Sequence, residues 1–123
     1  MATLAEATLT DAERRVLERL VPLLEEELGP SLHAVWLYGS RARGESPHDE
    51  SDIDLLIVSD DTSHEDSRRV GRGLEAAAAA VGISPWVFSP RVYSPERIAQ
   101  RREIRSFFIQ EVDRDKIVLY GKP

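Results

Sequence analysis

Apolar residues recur at i, i+3 and i+4 spacing between Val16 and Leu28. Val16, Leu17, Leu20, Val21, Leu24 and Leu28 therefore fall on one face of a helix. Thr10-Asp11-Ala12-Glu13 reads as a capping box at its start, and Gly29-Pro30 ends it. Pro22 lies inside this helix, where it removes a hydrogen bond and crowds the carbonyl of Glu18. The apolar face continues past it, so a kink is expected and not a break. Met1 to Leu9 carry no firm pattern and read as a flexible tail, leaving residues 10–123 as one domain.

The next apolar runs are shorter. His33 to Tyr38 reads as a strand, and Ile53 to Val58 as a second, whose unbroken apolar character predicts a central strand covered on both faces. Thr62-Ser63-His64-Glu65 resembles another capping box. It opens a helix to about Val81, with Val70, Leu74, Ala77 and Val81 on one face. Gly71 and Gly73 weaken that helix and are expected to let it approach the sheet closely; Gly82 ends it. Ile83 to Ser89 reads as a third strand, with Pro85 marking an edge position or a strand entrance. Ser94-Pro95-Glu96 starts a helical region, N-cap serine first. It extends to about Val112, with a break expected near Arg102. Lys116 to Tyr120 is the last strand, ended by Gly121. Strands separated by helices predict a small α/β (α+β) domain.

Composition narrows the function. The chain has 123 residues, a formal net charge of −6 and no cysteine, so it has neither a disulfide framework nor a thiolate metal site. No apolar run is long enough to span a membrane. The start lacks the form of a signal peptide, and a cytoplasmic location is the simplest expectation. Asp49 to Asp66 holds eight acids and no lysine or arginine. That weighs against nucleic-acid binding as a main role, because such affinity rests on basic side chains.

Candidate chemistry lies between the first two strands. The first stops at Gly39-Ser40, followed by the basic turn Arg41-Ala42-Arg43-Gly44. The second starts Asp52-Ile53-Asp54. Side chains alternate along a strand, so Asp52 and Asp54 share a face. Two like charges so placed need water, a cation or an ion pair. A hard cation such as Mg²⁺ takes carboxylate oxygens and completes its shell with water and substrate phosphates. Gly39 lets backbone approach an anion, Ser40 offers a hydroxyl, and Arg41 and Arg43 offer guanidinium forks suited to phosphate. Each fragment alone has a bland reading, a turn-proximal acid pair or a solvated basic turn. In this order, on strand ends, they suit phosphoryl or nucleotidyl transfer.

Gly39-Ser40-Arg41-Ala42-Arg43-Gly44 followed by Asp52-Ile53-Asp54 resembles the signature of the DNA polymerase β-like nucleotidyltransferase superfamily, and more narrowly its minimal nucleotidyltransferases. The likeness is strongest from Val35 to Val58. It implies a small mixed sheet with helices packed on one side, and an active site where the Gly-Ser turn meets the paired Asp. It implies that Gly39, Ser40 and Arg43 hold the triphosphate of ATP or another NTP, with Arg41 assigned more weakly. Asp52 and Asp54 would bind Mg²⁺ as the catalytic pair.

The same pattern includes a third carboxylate on the strand beside the Asp-x-Asp strand. Here no Asp or Glu occurs from Ala76 to Pro95. Glu103, Glu111 or Asp113 could fold into that gap, or Ser89 or water could substitute poorly. Two readings follow. One is a Mg²⁺-dependent enzyme moving a nucleoside monophosphate from an NTP to a hydroxyl acceptor. The other is a nucleotide-binding, catalytically weak antitoxin-like partner of a HEPN-type toxin, such as the resemblance implies. A homo-oligomer stays open, because little chain beyond the core is left to form an acceptor pocket.

Overall fold

The computed structural model of the chain describes residues 7–44, 52–60 and 64–123. Helix α1 spans Asp11–Leu28 and runs unbroken through Pro22. Its capping box forms: the Thr10 hydroxyl accepts the Glu13 N–H at 3.0 Å, and the Glu13 carboxylate accepts the Thr10 N–H at 2.8 Å. A turn of 3₁₀ helix, Gly29–Ser31, leads into β1, Leu32–Tyr38. Then come β2, Ile53–Ser59, and α2, His64–Val81. The expected Thr62-Ser63 cap of α2 and the Glu45–Ser51 loop lie outside the described residues. The remaining elements are β3, Phe88–Tyr93; α3, Pro95–Glu103; α4, Phe107–Asp115; and β4, Ile117–Gly121.

The four strands form one mixed sheet in the order β3-β2-β1-β4. β1 is antiparallel to β2 and β4, and β2 is parallel to β3. This is the expected small α/β sheet, with β2 central. The helices, however, cover both faces, where one side was expected. Val35, Leu37, Leu55 and Ile57 pack with Leu17, Leu20 and Leu24 of α1 and Val70 and Leu74 of α2. The alternate residues Trp36, Tyr38, Leu56 and Val58 pack with Ile98 of α3 and Ile109 and Val112 of α4. The period-2 alternation of a strand buried on both sides produces these two clusters.

The start of the third strand and the contact made by Gly73 differ from expectation. The third strand begins at Phe88, not Ile83. The Ser84 hydroxyl accepts the Trp86 N–H at 3.2 Å and Pro85 opens a 3₁₀ turn, Pro85–Val87, before the strand. The helical region breaks close to Arg102 as expected, with the junction at Ile104–Ser106. There the Ser106 N–H bonds the Arg101 carbonyl and the Arg105 N–H bonds that of Arg102, a Schellman closure with Arg105 at φ +53°. Ahead of α1, Ala7 and Leu9 pack against the core. Ala7 is buried, and the Thr8 N–H donates to the Arg41 carbonyl at 2.8 Å. Gly73 sits against Leu20 and Leu24 of α1, so it serves helix–helix contact and not the sheet. Among the described residues no helix is long and apolar enough to cross a membrane.

Candidate active site

Tyr38, the last residue of β1, is paired in register with Asp54 of β2. The chain then turns at Gly39, φ +81°, and closes with the Arg43 N–H on the Gly39 carbonyl at 3.1 Å. A Cβ on Gly39 would collide with Oδ2 of Asp54. The glycine corner and the carboxylate therefore meet in space. Ser40 is half-buried in the same turn, and Asp52 is exposed just ahead of β2.

Asp54 is held above the usual carboxylate range, first by burial, then by the charge of Asp52; Arg91 and Arg43 pull it back down. Burial and a neighbouring like charge both disfavour the charged form, and the two guanidinium groups offset them in part. Tyr38 is pushed up to about 12, by burial first and then by Asp54, with Arg91 opposing.

The two arginines of the turn separate. Arg41 is buried and turned inward: its Nη1 donates to Glu13 Oε1 at 3.0 Å and to the Thr8 carbonyl at 3.1 Å. It buckles the corner to the start of α1 and is no phosphate fork. Arg43 is partly exposed. Its Nη1 donates to Asp115 Oδ2 at 2.7 Å, and its charge still reaches Asp54. Asp115, which the sequence did not single out, is held below the usual range, mainly by Arg114 and also by Arg43.

Among the described residues of β3, no acid stands beside Asp54. In the parallel β2–β3 register Asp54 faces Ser89. Asp113 is taken by Arg102, at 2.8 and 3.0 Å, and by Lys116 at 2.9 Å. Glu103 and Glu111 are exposed. Among the described residues no group of three His, Asp or Glu side chains could hold a metal ion. The two carboxylates nevertheless fit a cation that arrives with phosphate oxygens of its own, which is how Mg²⁺ is commonly held.

Sequence reading missed the aromatic and cationic groups on this face. Phe108 of α4 meets Tyr38 edge-on at 5.6 Å and Tyr93 at 5.5 Å between centroids. The Arg91 guanidinium lies 5.2 Å over the Phe108 ring. The available signal was alternation along β3, and displacing that strand by five residues hid it. A separate cavity of about 270 Å³ lies toward the other end of the sheet, lined by Trp36, Ile98, Arg102 and others, and contains none of the corner residues.

A family model described as polymerase beta, nucleotidyltransferase, matches residues 18–122. No curated protein matches in sequence. Among solved structures, a toxin–antitoxin with AMP-PNP is similar at a TM-score of 0.55 and 20% identity, covering 86% of this chain and 73% of that one. A mutant of the toxin–antitoxin MntA–HpeT is similar at 0.52 and 16%, with the same coverage. A chain of a complex between a tri-AMPylated HEPN toxin and an MNT antitoxin from Shewanella oneidensis scores 0.47 at 17% identity, covering 89% and 72%.

Proposed function

Because the chain belongs to the polymerase β nucleotidyltransferase family, we propose that it transfers a nucleoside monophosphate from an NTP, ATP in the first instance, to a hydroxyl acceptor. The observation that carries this reading is the convergence of the Gly39 corner on Asp54, next to Asp52. In it, Gly39 and Ser40 seat the triphosphate and Arg43, steadied by Asp115, neutralises phosphate charge. Asp52 and Asp54 hold the Mg²⁺ that accompanies the nucleotide; when bound, that ion supplies Lewis-acid stabilisation of the phosphate oxygens. The acceptor oxygen bonds to the α-phosphorus, the bond from that phosphorus to the bridging oxygen breaks, and pyrophosphate leaves. The hydroxyl proton passes to water, since no described carboxylate besides the Asp pair stands at this site.

Calorimetry of ATP with and without Mg²⁺, on wild type and Asp54→Ala, tests the site. Binding that needs Mg²⁺ and is lost in the variant supports it; binding indifferent to both overturns it. Labelled ATP with candidate protein and small-molecule acceptors then tests transfer.

A second reading is favoured by one observation: Ser89, not an acid, faces Asp54. In that reading the protein binds nucleotide with little turnover and acts as the antitoxin of a HEPN-type toxin. Two similar structures scoring above 0.5 are toxin–antitoxin structures, which motivates a toxin as the partner to test. Co-expression with a HEPN-type protein encoded beside it tests this. Relief of toxicity by the Asp54→Ala variant would favour binding over transfer, and relief by wild type alone would favour transfer. Both readings place the protein in the cytoplasm.

A further inference from the structure

Arg91 stands on the site face for a reason of strand geometry. Residues 89, 91 and 93 of β3 alternate onto the side of the sheet shared with Asp54, Leu56 and Val58 of β2. Because the strand order is β3-β2-β1, the Gly39 corner flanks Asp54 on one side and β3 flanks it on the other. Arg91 is level with Leu56, two residues beyond Asp54, or about 7 Å along the strand. An arginine side chain spans that distance.

The environment holds this cation beside the Tyr38 hydroxyl and near enough to Asp54 to act on its carboxyl. Its guanidinium lies over Phe108, and Phe108 is fixed in turn by Tyr38 and Tyr93. A guanidinium stacked on a ring keeps its N–H edge for an anion. Among the described residues no carboxylate lies within salt-bridge distance of Arg91, whereas Arg41, Arg43, Arg69 and Arg102 each have one. Two acids and a triphosphate would share one small region, with Arg43 on the corner side alone.

We propose that Arg91 contacts the α-phosphate of the bound nucleotide, closing the site from the β3 side. The inference rests on the nucleotide-binding reading above and extends it to a residue outside the Gly-Ser and Asp-x-Asp motif. A triphosphate seated at the Gly39 corner and drawn across Asp54 puts its nucleoside end toward β3. Charge grows on the α-phosphate oxygens as the acceptor attacks, and a fixed guanidinium stabilises that charge. In this role Arg91 supplies positive charge on the side of Asp54 where Ser89 supplies none.

The test is ³¹P NMR and calorimetry of ATP with Mg²⁺ on wild type, Arg91→Met and Arg91→Lys. Arg72→Ala, an exposed arginine on α2, is the charge control. The α-phosphorus resonance should shift on binding to wild type, lose most of that shift in Arg91→Met and regain part of it in Arg91→Lys. The β and γ shifts should persist throughout. The dissociation constant should rise ten- to a hundredfold in Arg91→Met, the range expected for a hydrogen bond to a charged group, and less than twofold in Arg72→Ala. Arg91 is exposed, so the variant should keep its thermal midpoint. An α resonance and affinity unchanged in Arg91→Met overturn the proposal while leaving the Asp54 site intact. Unchanged ATP affinity with a raised KM for an acceptor overturns it too, by moving Arg91 to the acceptor. A wild-type protein that binds no ATP sinks both readings.

Discussion

At Gly39 two constraints coincide. The backbone is left-handed, which costs a residue bearing a Cβ roughly 1–2 kcal/mol. The space that Cβ would need is held by Asp54 Oδ2. Gly39→Ala should therefore lower the thermal midpoint and weaken ATP·Mg²⁺ binding at least tenfold by displacing the carboxylate. Calorimetry and a melt read both, and unchanged affinity would dissociate the corner from the site. Asp54 makes the complementary case. Burial and Asp52 raise its pKa, so the folded chain binds its proton more tightly than the unfolded chain does. The sign follows from linkage: stability falls as pH rises from about 3.8 through the raised value, and the cost is fully present above it. Asp54→Asn removes that cost. It should raise the melting midpoint at pH 7, lose the advantage in acid, and abolish Mg²⁺-dependent ATP binding. A midpoint lowered at pH 7 would contradict this. These residues were legible in the sequence because their types and order are informative by themselves. The division between Arg41 and Arg43 was not, because a turn has no periodicity to say which side chain faces inward.

At the scale of elements, legibility depended on whether a local signal had a competitor. The α1 boundaries could be read because the capping box and Gly29 agree with the apolar stripe. Ile83 to Ser89 looked like a strand from its apolar residues, yet Ser84 and Pro85 favour a tight turn, and Trp86 ends up exposed. The real strand carries Pro90, which disguises it; β3 tolerates a proline because it is an edge. The α3–α4 junction turns on a left-handed residue that is an arginine and not a glycine. That observation makes its own prediction. Arg105→Gly removes the Cβ penalty at φ +53° and should stabilise the fold by about 1 kcal/mol in urea denaturation. Gly71→Ala should add a similar amount, about 1 kcal/mol, since the site is helical and a Cβ there meets nothing within 4 Å. A loss of stability in either variant would mean that the unfolded-state or packing terms outweigh the backbone term.

Across the whole molecule, the corner depends on a contact that sequence spacing does not reveal. Glu13 caps α1 and also receives Arg41, 28 residues away, with both side chains about nine-tenths buried. Removing one partner of such a pair leaves the other charge buried and costs about 3–5 kcal/mol. Glu13→Ala should therefore destabilise the chain by an amount in that range, about 3 kcal/mol or more. Glu13→Gln, which keeps an acceptor for both Thr10 and Arg41, should lose markedly less. The sharper expectation concerns binding. Glu13 lies on α1, apart from the Gly39 corner and the paired Asp, yet Arg41 sits in the same turn as Gly39 and Ser40 and anchors it to Thr8 and α1. If that anchor sets the corner's geometry, ATP affinity measured well below the melting range should fall severalfold in Glu13→Ala and little in Glu13→Gln. Reduced stability with wild-type affinity would instead mean that β1 and its register with Asp54 hold the corner alone, and that the buckle acts on the fold only.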